Sequence, residues 1–216
     1  MSSRLRAEAT ASALPPATTP IGVDVGEDPL YAVATPGTAP SEARMISGDG
    51  LGSTVDALVE TIRVLRSGAP VADAVEAEVV ASYWRELRSM VDGAVPAVFE
   101  YARDHTAPVL VLEDLGHDLP TLWALRDAEW LAWSPWIVTL VQARLVDAAA
   151  AGIPIRWTPL DGTTRTCHAC GERGELPGFG AVFRYTASSC PVDVVDRDSG
   201  AAVSIAKQGM TLGIDE

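Results

Sequence analysis

Three acidic positions stand in sequence surroundings made for burial. Asp24 lies inside Gly22-Val23-Asp24-Val25-Gly26. Glu113 and Asp114 end the apolar run Val109-Leu110-Val111-Leu112. Asp196 and Asp198 follow Val194-Val195 and open a helix-like stretch from Ala201 to Ala206. A carboxylate in or at the end of a buried strand carries a desolvation cost unless it is paired or binds a cation. Three such groups converging from separate elements would suit one or two Mg²⁺ ions, which prefer carboxylate oxygens and retain water. Two such ions can activate a water and stabilise the leaving oxygen of a phosphodiester. Taken singly, each acid is better read as a capping or strand-end carboxylate than as a metal ligand.

A second constellation is Cys167-His168-Ala169-Cys170-Gly171, followed by Cys190-Pro191. Cys-x-x-Cys-Gly on a turn is half of a zinc ribbon, because the spacing lets both thiolates reach one tetrahedral ion. The second half supplies Cys190 alone, with Tyr185 where its partner is expected. His168, between the first two cysteines, is poorly placed to join them on one ion. The pattern reads as a zinc knuckle that has lost a ligand. A redox role fits less well, since no thioredoxin-like strand and helix flank the pair.

The elements that must hold these residues are legible in outline. Residues 1–20, rich in Ala, Thr, Ser and Pro, read as a flexible leader. Ile21–Gly26 and Leu30–Ala34 read as a hairpin, with Arg44-Met45-Ile46 as a third strand. Helical spacing begins at Ser53, a candidate cap, with Val55, Leu58, Val59, Ile62 and Leu65 on one face and Gly68 at the end. A second helix is expected over Pro70–Val91, interrupted by Gly93 and Pro96, with a further helical stretch to about His105. Pro108–Glu113 is the clearest strand. Residues 121–151 read as helical with a break at Ser134-Pro135, and Trp123, Trp130, Trp133 and Trp136 read as core with exposed edges rather than a base-stacking surface. Ile153–Trp157 is a last strand, on an edge because of Pro154. Strands, then helices, then strands indicate a mixed α/β layer fold.

Composition agrees with a folded chain. Of the 216 residues 48% are hydrophobic and 21% charged, which is globular, and three cysteines exclude a disulfide scaffold. No apolar run approaches the ~20 residues of a membrane span, and residues 1–20 carry no signal-peptide core, so the cytoplasm is the expected location. The net charge is −13, from 29 acidic residues against 15 arginines and the single Lys207. Lysine depletion with excess Asp and Glu looks like the proteome of an extreme halophile. In molar salt the Debye length is about 3 Å, so this acidity excludes a nucleic-acid partner only weakly. The arginines form no basic run.

Taken in order, the motifs resemble the C-terminal half of the TnpB (OrfB) family of haloarchaeal type and the related type V CRISPR effectors, which are RNA-guided, transposon-encoded DNA endonucleases. The resemblance runs from about Ile21 to Gln208. Gly22–Gly26 is similar to the first RuvC motif and Val111–Leu115 to the second. Ala151–Ile155 and Thr166–Gly171 are similar to the Gly-Ile strand and first zinc half, and Asp196–Ile205 to the ending Asp-x-Asp-x-Asn-Ala-Ala-x-Asn-Ile. The resemblance implies an α/β fold of the RNase H-like (RuvC) type, a mixed sheet flanked by helices. Its first part would span 21–160, a degenerate zinc-ribbon insertion 161–192, the third motif and final helix 193–208, and a tail 209–216. Asp24, Glu113 and Asp198 would be the catalytic carboxylates holding Mg²⁺ or Mn²⁺, with Asp196 as the alternative third and Asp114 as a neighbour. Cys167, Cys170 and Cys190 would hold Zn²⁺. The implied function is metal-dependent hydrolysis of DNA in a transposase-associated protein. DNA is the implied partner, joined by guide RNA or by a separate protein supplying the N-terminal region, with no membrane partner.

The departures point the other way. Twenty residues precede the first motif where the family has a long guide-binding region, so RNA-guided cutting by this chain alone is not expected. Gly200 and Ser204 replace two family asparagines, Tyr185 replaces a cysteine, and Asp161-Gly162-Thr163-Thr164-Arg165 stands in place of a Thr-Ser pair. A non-catalytic nucleic-acid-binding or regulatory remnant is therefore the alternative. An actin-like ATPase, suggested by Gly-Val-Asp-Val-Gly alone, lacks a second phosphate-binding turn.

Overall fold

In the computed structural model of the protein, the described residues are 17–26, 28–67, 73–115, 135–150, 152–159, 166–175, 182–185 and 188–211. The leader as far as residue 16, Trp123, Trp130, Trp133, the side chain of Trp136, and residues 161–165 lie outside them. The elements in order are β1 (Thr19–Val25), β2 (Tyr31–Ala34), β3 (Arg44–Ile46), α1 (Leu51–Ser67), α2 (Asp73–Arg103), β4 (Pro108–Glu113), α3 (Pro135–Ala149), β5 (Ile155–Thr158), β6 (Val182–Arg184), β7 (Val194–Asp196) and α4 (Arg197–Thr211).

Five strands form one mixed sheet in the order β3-β2-β1-β4-β5. β1 pairs antiparallel with β2 and parallel with β4, and β4 pairs parallel with β5. β5 is an edge strand, as Pro154 requires. β1 begins at Thr19, two residues inside the segment that reads as leader, because Thr19 and Pro20 pair with Pro108 and Val109.

Alternation along the strands assigns the faces. Ile21 and Val23 of β1, Tyr31 and Val33 of β2, and Leu110 and Leu112 of β4 join one large apolar cluster with residues of α1, α2 and α3. Tyr31 is buried in it, and its hydroxyl donates to the Val141 carbonyl at 3.0 Å. The opposite face carries Gly22, Ala32, Ala34 and Val111 against α4. Here small residues are obligatory. A Cβ on Gly22 would lie 2.0 Å from the Ala202 carbonyl oxygen and 2.4 Å from the Ala206 nitrogen. Gly22 is thus accounted for by the approach of a helix to the middle of a strand, without any phosphate-binding turn.

Two helical expectations change. α2 runs unbroken through Gly93 and Pro96. Proline inside a helix costs roughly 3 kcal/mol, but Leu87, Val91, Val95, Val98 and Ala102 form one buried stripe across it, and burying such side chains contributes ~1.5–3 kcal/mol each. α1 starts at Leu51 rather than at a Ser53 cap, and the Ser53 hydroxyl instead donates to the Gly50 carbonyl at 2.8 Å. Leu51, Thr54, Val55 and Leu58 are its buried residues, and Val59, assigned by spacing to the apolar face, is exposed. Arg144 of α3 grips Asp92 of α2 with two hydrogen bonds of 2.7 and 2.9 Å, fixing the crossing of these helices.

The second sheet is the antiparallel pair β6-β7. Its small core of Cys167, Phe183, Tyr185 and Val195 lies where β7 passes directly into α4.

Candidate active site and cysteine cluster

β1 and β4 run parallel in the register Val23 to Leu112, so Asp24 and Glu113 follow side by side at the carboxyl ends of adjacent strands. Both point to the face that α4 covers, by alternation from Gly22 and Val111. Asp198 is in the first turn of α4, whose N-terminus favours negative charge. The three carboxylates are 7%, 8% and 5% exposed. Burial, reinforced by the charges of Asp198 and Glu113, holds the Asp24 carboxyl well above the usual carboxylate range. Burial also raises Asp198, opposed by Arg197, whose Nε donates to Asp198 Oδ1 at 2.6 Å.

Asp24 feels both other acids and is the centre of the group. The trio does not close on one point, however. Among the described residues, the one set of three potential ligand atoms all within 4.8 Å of one another is that of Cys167, Cys170 and Cys190.

Asp196, the alternative third acid, is exposed and otherwise engaged. Its Oδ1 accepts from the Ser199 backbone nitrogen and from the Ser199 hydroxyl, both at 2.9 Å, so it caps α4. Asp114 donates its backbone N–H to the Thr158 carbonyl at 2.9 Å beside the site. We expect Asp196→Ala to cost about 1 kcal/mol, lowering the melting temperature by about 2–4 °C. A thermal scan of that variant beside wild type checks the capping role.

Two neighbours of the acids were not singled out by their sequence pattern. Gln142 of α3 is buried, and its Nε2 donates to the Glu113 carbonyl at 2.6 Å, fixing the strand end. A glutamine on the same helical face as the apolar Leu145 and beside Val141 is the signal that marks it. Thr158 is the register partner of Glu113 on β5 and is 1% exposed, with no hydrogen-bond partner for its hydroxyl. A buried hydroxyl left without a protein partner is costly.

The cysteines form their own cluster. Sγ of Cys190 is 3.4 Å from that of Cys167 and 3.2 Å from that of Cys170. Gly171, at φ 76°, turns the chain so that its N–H reaches the Cys167 carbonyl at 2.9 Å, while the Ala169 N–H reaches the Cys167 sulfur at 3.3 Å. Burial raises the Cys167 thiol, but the backbone N–H donors and neighbouring thiols outweigh it and bring the group below its ordinary range. Burial pushes Cys190 up to about 11. His168 is not in the group, and its carbonyl accepts from Lys207 of α4. The set fits a zinc ion in donor type and spacing.

No helix among the described residues is long and apolar enough to cross a membrane. No family model and no curated protein matches the sequence. Solved structures do. A Cas12f1 chain in complex with single-guide RNA and target DNA superposes with a TM-score of 0.64 at 16% identity, over 89% of this chain and 50% of that one. A CRISPR-Cas12f chain in a ternary complex gives 0.58 at 15% identity, over 91% and 40%. This chain thus spans half or less of the length of those it matches, and what it shares with that part of them is the fold, a mixed α/β sheet with helices against it.

Proposed function

We propose that the chain is a TnpB-like nuclease core of the RuvC, RNase H-like type, which hydrolyses DNA phosphodiesters with Mg²⁺ or Mn²⁺ held by Asp24, Glu113 and Asp198. The observation that supports the reading is the burial of three acids, Asp24 and Glu113 at the carboxyl ends of adjacent strands and Asp198 in the first turn of the helix against that face, where the charges of the other two help to raise the Asp24 carboxyl. Divalent cations would relieve that repulsion. Such ions supply water activation and charge neutralisation at the departing oxygen.

Within the chain, β1 and β4 hold Asp24 and Glu113 in fixed register, and Gln142 braces the backbone under Glu113. Asp196 caps α4 and thereby holds Asp198 in its first turn. Arg197 is hydrogen-bonded to Asp198. Cys167, Cys170 and Cys190 hold zinc and brace the strand that leads into α4. DNA is the proposed partner. Guide RNA, or a separate protein that supplies target recognition, is the second.

The test is cleavage of single-stranded and duplex DNA in molar KCl with Mg²⁺ or Mn²⁺, the salt chosen for the lysine-poor, acidic composition. Wild type should cut, and Asp24→Ala and Glu113→Ala should each lose at least ~10²–10³-fold, the scale of removing one charge-stabilising group. Equal background cleavage by wild type and both variants would sink the reading.

One observation favours a second reading, a non-catalytic nucleic-acid-binding derivative. The Arg197–Asp198 pair already satisfies one of the three acids without metal. That protein would bind DNA equally well with and without divalent ions and would take up no Mn²⁺ at Asp24.

A further inference from the structure

We propose that Cys167, Cys170 and Cys190 form a three-thiolate zinc site whose fourth coordination position is open to solvent and exchanges small soft ligands such as thiols and imidazole. The proposal rests on reading the cysteines as a zinc site and goes beyond it, from a closed structural clasp to an accessible metal.

Zinc takes four ligands in a protein, and a site with three protein ligands keeps the fourth position for water or an added ligand. Here three sulfurs converge within 4.8 Å, and no fourth His, Cys, Asp or Glu among the described residues joins them. His168 lies outside the group although it is adjacent in sequence to Cys167.

Tyr185, at the position where a fourth thiolate is expected, is held by packing. Its ring is buried against Phe183 at 5.3 Å between centroids, within the apolar group of Cys167, Phe183 and Val195. Gly174 makes room for it: a Cβ there would come within 2.6 Å of the Tyr185 ring and 2.3 Å of Phe183. The Tyr185 hydroxyl donates to the Thr166 carbonyl at 3.5 Å and also lies within hydrogen-bonding reach of the Cys167 thiol, and its backbone N–H donates to the Asp193 carbonyl at 2.9 Å. The residue thus closes the inner side of the cluster with an aromatic wall. The outer side is open, since Cys170 is exposed and Cys190 half-buried. Water reaches the metal from that side.

The site also touches the candidate active-site helix. Val195 lies in the strand that enters α4, and Lys207 donates to the carbonyl of His168 in the cysteine turn. A ligand exchanging at the metal would therefore act one packing layer from Asp198.

The experiment is a Co²⁺ titration of the reduced full chain, read by visible absorption. One Co²⁺ per chain should bind with tetrahedral thiolate bands, Zn²⁺ should displace it, and imidazole or 2-mercaptoethanol should shift the bands reversibly while the chain keeps its mass in solution. Tyr185→Phe, which keeps the wall, should behave as wild type. Tyr185→Cys should bind more tightly by more than the ~10–100-fold that an outer-shell partner is worth and should lose its response to imidazole. If the cysteine variant does not fold, wild type and Tyr185→Phe decide the matter. No uptake of Co²⁺ or Zn²⁺ by wild type would overturn the zinc reading itself. Bands indifferent to imidazole would overturn only the open position. Loss of binding in Tyr185→Phe would make the phenol a ligand, and metal-dependent dimers would assign the fourth ligand to a second copy; either result overturns the proposal.

Discussion

Asp24→Asn should abolish cleavage while making the metal-free protein more stable at neutral pH. The Asp24 carboxyl titrates well above the usual carboxylate range in the folded chain, because burial, Asp198 and Glu113 all oppose its charge. A raised folded pKa means that the native state binds this proton more tightly than the unfolded state does. Below the ordinary carboxylate range the group contributes no difference. As pH rises from there to the folded value, wild type loses stability that the asparagine variant keeps, and above it the loss is complete. Each kcal/mol lost in this way moves the melting temperature of a chain this long by about 2–4 °C. Differential scanning of both proteins from pH 4 to pH 8 without divalent ions should show the gap widening with pH. Millimolar Mn²⁺ should then raise the melting temperature of wild type and leave the variant unchanged. A gap that narrows with rising pH, or an equal response to Mn²⁺, would contradict this account of the site.

The second large effect is expected at Gly22, where one methyl group should strongly destabilise the fold. The ideal Cβ position lies 2.0 Å from the Ala202 carbonyl oxygen, 2.4 Å from the Ala206 nitrogen and 2.9 Å from the Ala206 Cβ. Two of these neighbours are backbone, so no rotamer change relieves the contact. Either α4 lifts from the sheet or β1 shifts, and both movements separate Asp198 from Asp24. Overpacking of a core commonly costs about 1–3 kcal/mol, and a backbone clash at the centre of a sheet belongs at or above the top of that range. Gly22→Ala should therefore lower the urea midpoint more than any of the acid substitutions. Gly93→Ala is the control, because nothing lies within 4 Å of the added carbon. In a helix interior it should be neutral or mildly stabilising.

The positions of β1, β2, β3, β4 and β5 were legible because strand signals are local: apolar runs, turn residues, and a proline that confines Ile155–Thr158 to an edge. The acids were legible for the same reason, since a carboxylate in an apolar run violates a local rule. The cysteine spacing likewise pointed to a shared ion, and the cluster forms. Other features were not readable locally. Gly93 and Pro96 predict a break in α2, but the buried stripe from Leu87 to Ala102 outweighs a propensity summed along the chain. Val59 follows the apolar spacing of α1 yet faces water, because the stripe that meets the core runs through Leu51, Val55, Leu58 and Ile62 and Val59 lies beside it.

Asp196 and Asp198 are equivalent as letters. Only the start of α4 at Arg197 makes one a cap and turns the other toward Asp24. Gln142 and Thr158 became part of the site through a helix crossing and a strand register that join segments distant in sequence. Residue types and periodicity thus set which elements form and which side chains are costly to bury. Which of those costly groups meet, and how closely, was decided by packing between non-neighbouring segments, where sterics between backbone and Cβ atoms act over a few ångströms and leave no periodic trace in the chain.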